Sequence, residues 1–238
     1  MSAILLSPQY LPSIEYFVRL VRAKCVYFGT DGRFERAGFH NRTHIATSHG
    51  VLRLSIPLSE GRNKHRLLRD VRISYDLPWQ RQHLQSLKTA YQSSPFFSYY
   101  EDDLLPHFQK KSVFLIDFNQ EFIETILKLL KIKKAINTTE IKTPPDNPTS
   151  PPSNFNEGVK DMLDLRHLDL PEHKRPTNEK TPVSAVKLPI YRQTFEEKTG
   201  FLPNLSVLDL LFHCGNNSFQ LLKNDNQTDI PAQSTGIK

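Results

Sequence analysis

The chain opens with a short apolar run, Ala3–Leu6, followed by Pro8 and Pro12. This pattern predicts a buried strand leading into a rigid loop. Ser13 stands where a helix cap belongs, and Ile14, Phe17, Val18 and Val21 follow at the spacing of one helix face. Arg19, Arg22 and Lys24 fall toward the end of that helix, where positive charge suits the free carbonyls. Cys25–Phe28 is a second apolar run. Together these pieces predict a βαβ unit with parallel strands.

Further on, Val51–Pro57 alternates apolar and polar positions after a His49-Gly50 turn, the signature of a half-buried strand. Val71 and Ile73 suggest another strand. Pro78 opens a helix on which Trp79, His83, Leu87 and Tyr91 recur at steps of four. Pro95 starts a second helix carrying Phe96, Phe97, Tyr100, Leu104 and Leu105. Val113–Ile116 reads as a strand, Asn119 as the cap of a helix bearing Phe122, Ile123, Ile126, Leu127 and Leu130, and Ile132–Ile136 as a short strand. Near the end, Leu205, Val207, Leu208, Leu210, Leu211 and Phe212 form a helix apolar nearly all round, closed by Gly215, and Asn216–Leu222 adds one more.

The pattern breaks over 139–182, where Pro144, Pro145, Pro148, Pro151 and Pro152 crowd together. Such composition cannot pack a core and reads as an irregular loop, with one semi-regular piece at Val159–Leu165. The expected architecture is α/β: a mixed sheet with flanking helices, in a single domain with a proline-rich excursion. Its parts are an α/β core with an N-terminal βαβ unit at 1–138, the loop at 139–182, a C-terminal strand and buried helices completing the same domain at 183–222, and a flexible tail at 223–238.

Charge adds a partner class. A net charge of +6 favours acidic partners, and no run of five basic residues points to a DNA-binding arm. Cys25 and Cys214 both sit in apolar surroundings and read as buried free thiols rather than a disulfide or zinc pair. No signal peptide and no span of ~20 apolar residues is present, so a soluble cytoplasmic protein is expected. A nucleic-acid role would need a basic stripe with exposed aromatics, which is not expected here.

Several segments carry candidate chemistry. Ser7–Pro12, with Gln9 and Tyr10, follows the first strand, where α/β sheets bind ligands and where the next helix offers N–H groups to an anion. The bland reading is a stiffened turn. In Phe34–Arg42, Arg42 can grip a carboxylate or phosphate, Asn41 can donate and accept, and Glu35 or His40 can move protons; a solvated loop is the alternative. Trp79 and His83 share a helix face, able either to stack a sugar and take a proton or simply to sit half-buried. The basic segment Arg62–Arg72 is either a diphosphate site or a solvated face. Asp209 is either the partner of Ser206 in a capping box or a buried carboxylate served by Tyr191 or Arg192. His167, His173, Asp164 and Asp169 lack ligand spacing, so no metal is expected.

Taken together, Pro8-Gln9-Tyr10-Leu11-Pro12 with Tyr16-Phe17, Asn41-Arg42 with the following strand to Pro57, Trp79-xxx-His83 through Tyr91, and Ser94-Pro95-Phe96-Phe97 with Tyr100 resemble the WbqC-like family. So do Tyr191-Arg192-Gln193-Thr194-Phe195 and Gly200 through Phe212. The resemblance implies a role in surface-polysaccharide (O-antigen-type) assembly: transfer of an acyl or aminoacyl group, such as glycyl, onto a sugar or sugar nucleotide. Partners would be that sugar and an activated carboxyl donor, with no cofactor. The implied catalytic residues are His83, Asn41 and Glu35. Gln9, Tyr10, Tyr16, Arg42, Trp79, Tyr191, Gln193 and Asn204 would line the substrate site. A non-enzymatic scaffold of the same pathway is the alternative.

Overall fold

The computed structural model describes residues 3–59, 66–139, 162–171, 174–175 and 186–224. Strand β1 (Ile4–Leu6), helix α1 (Ile14–Arg22) and strand β2 (Val26–Gly29) form the expected βαβ unit, with Ile4 paired to Val26 and Leu6 to Phe28 in parallel. Ser13 caps α1, its hydroxyl accepting from the Tyr16 N–H at 3.4 Å. Ile14, Phe17, Val18 and Leu20 are buried along one side. The other end of α1 is closed by Lys134, whose ammonium donates to the carbonyls of Leu20 (2.7 Å) and Val21 (2.9 Å).

Strand β5 (Ile136–Thr139) joins β2, and β6 (Leu163–Asp164) joins the other side of β1, giving a four-stranded parallel sheet in the order β5-β2-β1-β6. An antiparallel pair, β3 (Arg42–Thr47) and β4 (Gly50–Ser55), stands apart as a second sheet. The chain is thus α/β, with its parallel and antiparallel strands divided between two sheets. Helices α2 (Trp79–Tyr91), α3 (Phe97–Gln109) and α4 (Leu115–Leu129) pack in succession, and α2 also meets β3. After the short helix α5 (Glu196–Thr199), α6 (Val207–Cys214) and α7 (Ser218–Lys223) return to α1. Gly215 ends α6 at φ +53, and a Cβ there would come within 2.9 Å of the Phe96 ring, so both the backbone and the packing require glycine.

Several elements differ from expectation. Arg42–Thr47, not foreseen as a strand, pairs along its whole length with β4, because Thr43 and Ile45 turn inward while Arg42 and His44 turn outward. In β4 itself only Leu54 is buried; Val51 and Leu52 are exposed. Val71–Ile73 forms isolated bridges beside a 3-10 turn rather than a strand. Val113 is exposed and Leu115 already lies in α4, so no strand forms there. Asn119 is not a cap: it sits inside α4, fully buried. The strand expected at Ile132–Ile136 begins only at Ile136. Cys25 is exposed rather than buried, and both cysteines are free.

Most of the proline-rich stretch lies outside the described residues, but 162–171 within it hold β6 and a 3-10 turn, Arg166–Asp169, with Leu165 and Leu168 in the core. No helix among the described residues is long and apolar enough to cross a membrane.

Candidate functional site

The loop after β1 is fixed by its own carbonyls. Tyr16 donates its hydroxyl to Ser7 O at 3.1 Å, Asn119 donates to Pro8 O at 3.2 Å, Thr43 to Leu11 O at 2.8 Å, and the Val207 N–H to Pro12 O at 2.9 Å. Leu11 is held at φ +42, a left-handed conformation uncommon for leucine. Asn119 also donates to His40 O at 2.8 Å, so one buried amide ties this loop to the segment before β3.

Between that loop and β3 lies a shallow cleft whose enclosed space is about 10 Å³, the room of a single water. Gln9–Ser13 form one wall; Phe39, Arg42 and His44 form the other; Asn204 and Ser206 close one end. The loop and Arg42, thirty residues apart, therefore share one concave surface.

The charge in this cleft is one-sided. Arg42 and His44 lie on the same side of β3, and Arg53 of β4 is directly opposite His44. Burial, then the charges of Arg53 and Arg36, push Arg42 below its usual range. Burial, then Arg53 and Arg42, push His44 down as well. Among the described residues no carboxylate or hydrogen bond holds the guanidinium of Arg36, Arg42 or Arg53. Phe39 meets the His44 ring edge-on, with centroids 5.4 Å apart.

The start of α1 does not offer free N–H groups to a ligand. Leu205 O accepts from Ile14 N at 2.9 Å, Asn204 Oδ1 from Glu15 N at 2.9 Å, Ser13 Oγ from Tyr16 N, and Ser13 O from Phe17 N at 3.2 Å. The N–H groups of the first three helical residues, Ile14, Glu15 and Tyr16, are thus taken by the chain itself, and Phe17 begins the regular helical ladder. Asn204 reaches this position from the left-handed conformation, φ +52.

Tyr10 borders the cleft, and other expected site residues lie behind it. Tyr10 is fully buried, its ring among Trp79, Phe118 and Phe122, and its hydroxyl is 2.9 Å from His83 Nδ1. His83 is buried, and burial pushes it down to about 4, against a small opposing effect of the Ser55 carbonyl. A neutral ring accepting from Tyr10 at Nδ1 and donating to Ser55 at Nε2 satisfies both contacts. His83 therefore braces the cleft loop against β4 from inside. Trp79, buried beside it, presents no face to the cleft. The step-of-four stripe on α2 is the core stripe, which is why both residues point inward.

Asn41 is buried and donates to Ile56 O at 2.8 Å. Glu35 is exposed and outside the cleft lining. Tyr16 is buried under the loop. Gln9 lines the cleft, yet its amide donates to the buried Asp169 at 2.8 Å. His40 Nε2 lies 3.5 Å from the same carboxylate. Burial raises the Asp169 carboxyl, against the lowering effects of His40 and Gln9. Asp164 instead pairs with Arg166, so these acids diverge, and no group of three metal-ligating side chains occurs among the described residues. His173 and Arg62 lie outside the described residues; Arg72 sits over the Phe114 ring at 5.2 Å.

Tyr191 and Gln193 belong to a separate buried knot. Asp209, fully buried on α6, accepts from the Tyr191 hydroxyl and from Gln193 Nε2 at 3.1 Å. Gln193 also donates to Leu202 O (2.9 Å) and accepts from Leu202 N (2.8 Å). Ser206 caps α6 through Leu208 N, so the carboxylate of Asp209 serves as a buried acceptor rather than as the second half of a capping box. Tyr191 supplies the partner; Arg192 is exposed and pairs with Glu197. His213 donates from Nδ1 to Asp209 O at 2.6 Å and accepts from Thr194 N at Nε2.

Phe39 and His44 are the cleft residues not foreseen. Phe39 belongs to the Phe34–Arg42 segment, whereas the role of His44 follows only from the strand Arg42–Thr47, which the apolar pattern does not reveal.

A parallel sheet, with a basic cleft beside the loop after its first strand, defines the class as α/β. The chain belongs to the WbqC-like protein family, whose family model matches residues 7–150. That range contains the loop, the β3–β4 hairpin and α2–α4, while the 191–212 block lies beyond it. No curated protein and no solved structure matches the chain.

Proposed function

We propose that the protein transfers an acyl or aminoacyl group, such as glycyl, onto a sugar or sugar nucleotide during surface-polysaccharide assembly, using the cleft between Gln9–Ser13 and Arg42–His44. The single observation carrying this reading is the positive charge of Arg42 in that cleft, which no carboxylate among the described residues meets, beside a half-buried imidazole and an aromatic wall. His44, rather than His83, is suited to be the general base: it lines the cleft, and its depressed pKa keeps it neutral near pH 7. Arg42, rather than the saturated start of α1, would stabilise the developing oxyanion. In the transfer, a sugar amine or hydroxyl attacks the activated carbonyl carbon and gives its proton to His44. The leaving group then departs with its bonding electrons and receives that proton. Phe39, rather than Trp79, takes the platform role.

The test is a thermal-shift screen against nucleotide sugars, aminoacyl donors and acyl-CoA, because a ligand binding only the native state raises its apparent stability. Pairs that bind are then incubated together and the sugar weighed by mass spectrometry. The reading expects an added acyl mass that disappears in His44→Ala. Binding without any transfer would favour the alternative, a non-enzymatic scaffold, for which the exposed Val51 and Leu52 on β4 supply a docking edge.

A further inference from the structure

We infer that the outer side of the β3–β4 hairpin, with Arg36 beside it, holds the diphosphate of a nucleotide-linked sugar, whose sugar end lies over the mouth of the cleft. This rests on the proposed cleft and names its ligand class. The argument begins with strand register. Arg42 and His44 alternate with the buried Thr43, so both project from one side of β3. Across the ladder, Ser55 faces Arg42 and Arg53 faces His44. Residues directly opposite stand about 5 Å apart and diagonal ones about 7–8 Å, so Arg53 is a neighbour of both. Like charges so placed repel, and no carboxylate among the described residues pairs with them.

Among the described residues the carboxylates paired with lysine or arginine are engaged elsewhere: Glu15 with Arg19 and Arg175, Asp31 and Asp164 with Arg166, Glu101 with Lys88, Glu121 with Lys110, and Glu197 with Arg192. Arg36 adds its charge from the segment before β3. Arg42 is half-buried at the cleft, whereas Arg36 and Arg53 are exposed and outside its lining. The positive charge therefore runs out of the cleft along the hairpin. A single carboxylate could meet one of these guanidinium groups. Two linked phosphates, with several acceptor oxygens spread along their length, can meet Arg42, Arg53 and Arg36 together. The ordering follows: phosphates along the arginines of the hairpin, sugar against Phe39 at the cleft mouth.

Calorimetric titration of the whole protein at low ionic strength tests this. The probes are inorganic pyrophosphate, inorganic phosphate, glycine, and UDP-glucose and GDP-mannose, with CMP-sialic acid as a monophosphate-linked control. Pyrophosphate is expected to bind at least tenfold more tightly than phosphate, and at least one diphosphate-linked sugar tenfold more tightly than the CMP-linked one. Arg53→Gln and Arg36→Gln, both at exposed positions, should each weaken pyrophosphate about tenfold, and Arg53→Glu should weaken it further. Equal affinity for phosphate and pyrophosphate, or indifference to both arginines, overturns the inference. A sugar nucleotide whose binding needs Arg42 but neither Arg36 nor Arg53 overturns it while leaving the proposed cleft intact. Tight diphosphate binding that depends on these arginines, with no acyl transfer in any combination, supports the inference and counts against the transferase.

Discussion

The Arg42 cleft and the Asp209 knot are made of the same kinds of residue, and they behave in opposite ways. In the knot, nearly every group is met by another part of the chain: Tyr191 and Gln193 donate to Asp209 Oδ2, and Gln193 closes a two-way bond with Leu202, leaving only Asp209 Oδ1 without a hydrogen-bond donor among the described residues. In the cleft, Arg42 and its neighbours are met by nothing of opposite charge among the described residues. A polar residue in a suggestive motif can thus be an internal fastener or an open hand, and the difference lies in whether the fold supplies its partner. Buried and satisfied groups hold the structure together; unsatisfied charge at a concave surface is left for a ligand.

The contrast can be broken from either side. The largest effect is expected at the knot. Asp209→Ala strands the Tyr191 hydroxyl and the Gln193 amide in the core, and should cost about 4 kcal/mol in denaturant unfolding, with ligand affinity preserved in the fraction that folds. A loss under about 1 kcal/mol would show that the knot does not hold the fold.

The next effect is a pH dependence. His83 titrates at about 4 in the folded protein and near 6.5 when unfolded. Between these values only the unfolded chain takes the proton, so stability is full above about pH 6.5 and falls as the pH drops toward 4. The loss attributable to His83 should reach about 3 kcal/mol. Burial lowers His44, His107 and His167 in the same direction, so the informative quantity is wild type minus His83→Gln. Identical pH profiles for the two would place His83 in solvent, and so restore it as a cleft candidate.

Smaller still is Tyr191→Phe, which removes one hydroxyl from Asp209 and should cost about 1 kcal/mol, read as a Tm fall of roughly 2–4 °C. At the bottom of the stability scale stands Arg42→Ala. It should move the Tm by no more than about 2 °C, because removing a repelled charge strands no partner, yet lower affinity for the anionic ligand at least tenfold. A large Tm loss would make Arg42 a fastener like Asp209.

The sequence carried the fold further than the site. The first βαβ unit was legible because Ser13 and the apolar spacing of α1 agree locally. The stripe on α2 was legible too, and its meaning was core: Trp79 and His83 share it with Leu87 and Tyr91, all buried. What was not legible depends on distant segments. The start of α1 looks like an anion site until Asn204 and Leu205, nearly two hundred residues later, fill it. Asn119 resembles a cap until the loops at Pro8 and His40 come within its reach. β6 was masked by the polar composition around it, though Leu163 and Leu165 bond directly to the backbone of β1. His44 needed a strand assignment for Arg42–Thr47 before its neighbours could be named.

The most direct test of the central claim is a map of backbone amide shifts during titration with a nucleotide sugar. The account predicts that the changes concentrate at Gln9–Ser13, Phe39, Arg42–His44 and Asn204, while Tyr191, Gln193 and Asp209 stay still. Changes centred on the Asp209 knot, with the cleft amides unmoved, would contradict it.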